Sequence, residues 1–177
     1  MKVKMTAAAC ALMTFCLSGC AVTTAQTVRT INEHSDFAFG LLTHFSEMDL
    51  TDYCVKPGFG VTGYYHEKYQ TDGDVSACYV LYSVTSYPDC MSSNQYVTSI
   101  CVSDPDVCVL GYSVGDNADA FESYLQTEGF KLYESNDRIR RFEKEKVKLR
   151  FAVDPETQTV REICVEVKVT NFFGVIY

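Results

Sequence analysis

The clearest pattern in the chain lies near its end. Val147, Leu149, Phe151 and Val153 alternate with Lys148, Arg150 and Ala152. A period of two is the mark of a strand with one dry face and one wet face. The segment TVREICVEVKV (159–169) repeats it, with Ile163, Val165, Val167 and Val169 on one side and Glu162, Cys164, Glu166 and Lys168 on the other. DPET (154–157) supplies turn chemistry between the two. A further strand is predicted around 139–143. Ahead of these strands the period lengthens to that of a helix. Ala118, Phe121, Tyr124 and Leu125 form an apolar stripe, Asn117 is placed as N-cap, Asp119 and Glu122 fall in the early turns, and Gly129 ends the run. The second half therefore predicts one helix followed by three strands.

The first half reads in the same order. A short helix is predicted near 46–53, with strands near 59–69, 77–87 and 95–102 separated by the turns TDGD (71–74) and PDCMSSN (88–94). Two local matches support duplication. VTSICVS (97–103) and VREICVE (160–166) share V-x-x-I-C-V, and FGLLTHFSEMDLTDYC (39–54) lies against LGYSVGDNADAFESYL (110–125), with Gly40 on Gly111, Leu50 on Phe121 and Tyr53 on Tyr124. One supersecondary unit used twice is the simplest account. The expected fold class is α+β. Two αβββ repeats, 37–104 and 105–177, build an antiparallel sheet with helices on one face and a polar open face.

The N-terminus carries a different signal. Lys2 and Lys4 precede the uncharged apolar run MTAAACALMTFCL, which is too short to span a bilayer and suits an export signal. It ends in Leu17-Ser18-Gly19-Cys20. That tetrapeptide resembles a bacterial lipobox, in which the cysteine is lipidated and becomes the first mature residue. Residues 1–19 are then the signal peptide, Cys20 bears a diacylglycerol-type lipid, and 20–36 form a polar tether, with room for some helix at its end. The implied location is the outer face of the cell membrane. Each buried lipid methylene contributes about 0.8 kcal/mol, so at least two acyl chains anchor firmly. An ordinary cleaved signal with an incidental cysteine is the competing account.

Charge narrows the choice of partner. The formal net charge is −8 for the whole chain, and −10 once Lys2 and Lys4 leave with the signal. With no run of Lys or Arg, nucleic acid is a poor partner. A hydrophobic content of 47% is enough for a real core. Six cysteines remain after the signal and the lipid: Cys54, Cys78, Cys90, Cys101, Cys108 and Cys164. In an exported chain an even number points to disulfides and leaves their connectivity open, with free thiols as the alternative. No CxxC or HxxxH pair marks a metal site, and no cofactor is implied.

Enzymatic readings find little support. His34, His44 and His66 are the only histidines. Cys54 with His66 offers a nucleophile and a base, but no oxyanion motif or orienting third group accompanies them. TDGD and SDPD lack EF-hand spacing, and GFGVTG (58–63) has no helix after it to hold phosphate. The chain is expected not to be an enzyme.

The order αβββ-αβββ, the junction DPDVCVLGYSVGD and the ending VTNFFGVIY resemble uncharacterised lipoproteins of Firmicutes. Their fold is similar to that of the beta-lactamase inhibitory protein and the small outer-membrane assembly lipoprotein. The resemblance implies helices packed on one side of an antiparallel sheet and a protein-binding use for the other side. The candidate face is then Arg138, Arg140, Lys148, Arg150, Glu162, Cys164, Glu166 and Lys168. Cys101 sides with Ser99 and Ser103, and so points outward as Cys164 does. One account of these residues is a solvated surface of complementary charges, each pair contributing a few tenths of a kcal/mol. The other is a concave surface that docks an extracytoplasmic protein or peptide, which is the function expected here. A structural envelope-assembly component and a thiol-redox or other surface enzyme are the alternatives.

Overall fold

A computed structural model describes residues 23–57, 61–86 and 95–168 of the chain. The expected export signal, Cys20, Cys90, the expected turn at 88–94 and the ending VTNFFGVIY lie outside the described residues.

Helix α1 (Thr24–Glu33) opens the fold, followed by strands β1 (Tyr53–Pro57) and β2 (Val61–His66). A small hairpin, β3 (Gln70–Thr71) and β4 (Asp74–Val75), comes next, then β5 (Val80–Ser86) and β6 (Gln95–Val102). The second half holds α2 (Ala118–Thr127), β7 (Lys131–Ser135), β8 (Ile139–Lys144), β9 (Val147–Val153) and β10 (Val160–Val167). All strands except the small hairpin form one eight-stranded antiparallel sheet, in the order β1-β2-β5-β6-β10-β9-β8-β7.

This overturns the expected α+β class of two αβββ units. Among the described residues the chain is mostly β, each half gives the sheet four strands, and the two α-helices are ten residues each. The unforeseen strands are the two edges, β1 and β7. All five residues of β7 are exposed, so its sequence has no alternation to read. β1 begins within the segment read as a helix. There the chain makes only a 3₁₀ turn, Phe45–Glu47. Asp49 then takes the amide and hydroxyl of Thr51 onto Oδ1, at 3.2 and 2.7 Å, a local bond that competes with helix continuation.

The stretch read as a tether contains α1. Thr23 caps it in a reciprocal box with Gln26, and Thr27, Val28 and Ile31 are buried. Helix α2 forms where the sequence placed it. Asn117 caps its start, and Ala118, Phe121 and Leu125 are buried. Gly129, at φ 85°, lets the amide of Phe130 reach the carbonyl of Leu125 at 2.9 Å and its own amide reach Gln126 at 3.0 Å. That is the Schellman ending, which only a residue tolerant of positive φ accommodates cheaply.

Two short helices cannot cover eight strands, so irregular chain completes the core. Leu41, Met48, Val109 and Leu110 are buried from loops. The junction between the halves is pinned on both sides. The Tyr69 hydroxyl donates to buried Asp104 at 2.7 Å, and the Cys108 thiol donates to Asp36 at 2.9 Å. On the covered side of the second half, Phe151 packs against Phe121 and Phe142, with ring centroids 5.0 and 5.8 Å apart.

The halves join at β6 and β10. Their register pairs Cys101 with Cys164, Ile100 with Val165, and Val102 with Ile163. The two V-x-x-I-C-V segments thus lie antiparallel about a pseudo-two-fold centred on the cysteines. The four aliphatic residues are wholly buried on one side of the seam. On the other side the cysteines are joined as a disulfide, with Cα atoms 4.1 Å apart and a sequence separation of 63.

A bridge closing that loop restricts the unfolded chain by about 4 kcal/mol. The double variant C101A/C164A is expected to lose stability of that order in denaturant titration while keeping its far-UV spectrum, and to become indifferent to added reductant. A loss below about 1 kcal/mol would assign the seam's strength to its aliphatic layer alone.

Candidate functional site

The apolar positions of β9 and β10 all point to the covered side of the sheet. Their polar neighbours therefore stand on the other side, and the register of the ladder arranges these in rows. One row reads Lys131, Glu143, Lys148, Glu166, Ser99 and Ser83 from β7 to β5. Signs alternate along its first four members, as a solvated surface would have it. The next row reads Glu134, Arg141, Arg150, Cys164, Cys101 and Leu81. Here two arginines stand side by side. A third row places Ile139 beside Ala152 and Glu162.

Two cavities open on this face. One, of about 550 Å³, is lined by Ser99, Tyr133, Glu134, Arg141, Lys148, Arg150, Glu166 and the disulfide pair. The other, of about 770 Å³, is lined by Tyr79, Ser103, Arg138, Asp154, Glu156, Arg161 and Glu162, among others. Arg150 belongs to the first and Glu162 to the second, and their ion pair at 3.0 Å stands between the two. Tyr79 donates its hydroxyl to the second oxygen of Glu162 at 2.7 Å. Burial pushes the Tyr79 phenol up to about 12; the hydrogen bond to Glu162 and its charge add to this, and Arg150 opposes it. Arg141 is paired with Glu134. The Lys148 ammonium sits 5.4 Å from the centre of the Tyr133 ring.

Of the residues predicted for this face, Lys148, Arg150, Glu162, Cys164 and Glu166 come together on it. Arg138 lies just before β8 and lines the second cavity. Lys168 follows β10, and its amide donates to the Lys146 carbonyl at 2.8 Å. Arg140 was misplaced. It pairs across the ladder with Phe151, on the covered side, and there grips α2 through Asp119 and Glu122, at 2.7 Å each. The signal was present in the sequence: Arg140 shares its side with Phe142, which is fully buried. The outward arginine is Arg141. Tyr133 and Glu134 were missed because they lie on β7, which has no period.

Cys101 and Cys164, outward and repeat-equivalent in the sequence, form the one disulfide among the described residues. Cys54, Cys78 and Cys108 are free thiols there. Cys54 donates to Gln70 Oε1 at 3.0 Å, and its strand position is opposite Tyr65. His66 lies opposite Tyr53, so the alternation sets Cys54 and His66 on different sides. The ligand atoms of Cys101, Glu162 and Cys164 fall within 4.8 Å of one another. The bridge occupies both sulfurs, and Tyr79 and Arg150 hold the carboxylate, so this trio is engaged within the protein.

No helix among the described residues is long and apolar enough to cross a membrane. No protein-family model matches the chain, and no curated protein sequence matches it. Among solved structures it is similar to an extracellular protein containing a SCP domain from Bacillus anthracis, at 12% identity and a TM-score of 0.44. The match covers 66% of this chain and 39% of that one. At that score the likeness assigns neither fold nor activity.

Burial raises several tyrosine phenols, most of all Tyr79 and Tyr82, to about 12, and Tyr69, higher still with help from Asp104. A folded-state value above the unfolded value of about 10 gives stability that is intact below that pH and is lost as pH rises toward the folded value. Unfolding is therefore expected between about pH 10 and 12, with late tyrosinate absorbance rising together with loss of near-UV circular dichroism. Titration of every tyrosine near pH 10 in a chain that stays folded would contradict the environments described.

Proposed function

We propose that the protein is an exported, lipid-anchored module that binds a protein or peptide outside the cytoplasm through the open face of its sheet. The observation that carries this reading is the face itself. Two neighbouring cavities share a lining of charged and aromatic side chains on a rigid sheet whose other side is the core. Exposed tyrosine and arginine are the side chains that protein contacts favour. LSGC after an apolar run supports the anchor. An acidic chain suits an aqueous, extracytoplasmic setting and argues against nucleic acid as the ligand. The reading is of a binding module and not of an enzyme.

The envelope-assembly alternative draws on a different feature. Val55 on β1 and Leu132 and Tyr133 on β7 are exposed apolar groups on the two open edges. Edges of this kind invite pairing with other chains.

A photo-crosslinking residue placed at Ser99 or Tyr133 in living cells is expected to capture a partner, whereas one at Ser123, on the outer side of α2, is not. Capture from Ser123 with none from Ser99 would reverse the assignment of the working face. For the anchor, C20S is expected to lose acyl labelling and to appear in the medium. Retained label on C20S would refute lipidation at that residue.

A further inference from the structure

Resting on the reading of the open face as a binding surface, we infer that its partner is an acidic peptide segment whose carboxylates seat on Arg141, Lys148 and Arg150. The first support is the pairing of Arg141 directly with Arg150 across β8 and β9. Like charges directly opposite destabilise a ladder, so complementary solvation does not explain this row. The neighbouring row shows what the sheet does where solvation alone governs: its signs alternate.

The second support is unspent hydrogen-bonding capacity. Each arginine gives only one terminal nitrogen to a carboxylate, Arg141 to Glu134 and Arg150 to Glu162. A guanidinium carries five N–H groups in a planar fork that matches carboxylate geometry. Among the described residues the other donors of both forks have no protein partner, and Lys148 makes no ion pair. The two arginine side chains are 35% and 42% exposed, into the first cavity.

The third support is contrast. The chain carries a net −8, and Arg141, Lys148 and Arg150 nevertheless gather at this one recess. Glu134 and Glu166 also line the first cavity, so three cations there face two carboxylates and leave a local positive excess, which concentrates its counter-ion. The shape favours a peptide over a free anion. The two cavities lie on either side of the Arg150–Glu162 pair, and together they offer more room than one small ion requires.

The test uses the full chain in a zwitterionic detergent and three probes: acetylated hexaglutamate amide, hexalysine and inorganic phosphate. Hexaglutamate is expected to bind, to weaken steeply with added salt, and to compete with crosslinking from Ser99. K148Q and R150Q should each weaken it at least tenfold, R150K should restore part of the loss, and R29Q on α1 should leave it unchanged. Far-UV spectra of the variants exclude misfolding, and K148Q, whose residue makes no ion pair, serves if R150Q does not fold. Phosphate binding as tight as hexaglutamate would overturn the peptide assignment in favour of a free-anion pocket. Hexalysine binding in place of hexaglutamate, with crosslinks from Ser99 intact, would overturn the inference and leave the binding face standing. No crosslink from either Ser99 or Tyr133 would remove the binding reading itself, and this inference with it.

Discussion

The ladder between β6 and β10 is where two four-stranded halves become one sheet. Ile100, Val102, Ile163 and Val165 meet there with no exposure to water. Each buried aliphatic side chain of this kind contributes roughly 1.5–3 kcal/mol. The register they impose has a second effect, because a one-residue slip would turn every side chain to the wrong side. It sets Cys101 opposite Cys164, Ser99 opposite Glu166, and the charged rows of β8 and β9 beside them. The dry side of the seam thus determines which groups share the wet side.

The rest of the fold serves to keep that wet side open. Arg140 ties α2 to the covered side through two acidic partners. The junction residues Asp36, Asp104 and Cys108 tie the irregular chain to the same layer as the helices. Among the described residues, the side of β8, β9 and β10 away from those covering elements holds the two open cavities. The hairpin of β3 and β4 lies instead beside Cys54 of the first half, through Gln70. The two halves share a plan and differ in surface, and the second half carries the cationic row.

Much of the second half could be read from sequence because its strands are half-buried. In β9 every other residue is fully or almost fully buried, and such a contrast is visible without coordinates. The helix at Ala118–Thr127 was legible for a similar reason, with a cap, a stripe and a terminal glycine all in agreement. The edges were not legible. β7 has water on both sides and β1 has no sustained alternation, so hydrophobic pattern cannot mark either. Arg140 shows a different limit. Its charge suggested the open side, yet the buried Phe142 two residues on fixes its direction. Packing decided, and the guanidinium found acids on the covered side. The repeat was legible as a match of letters. That its two cysteines touch follows from how the halves pair, which local sequence does not encode.

The pseudo-two-fold at that pair has an evolutionary reading. Self-complementary contact about a dyad is how two identical chains form a closed dimer. A half-length ancestor carrying one V-x-x-I-C-V strand would meet its own copy along that strand, cysteine against cysteine. Gene duplication and fusion would then turn an intersubunit bridge into the intrachain bond between Cys101 and Cys164. Once fused, the two copies no longer had to carry the same surface. One was free to gather arginines while the other kept its tyrosines, an asymmetry that a true homodimer could never acquire.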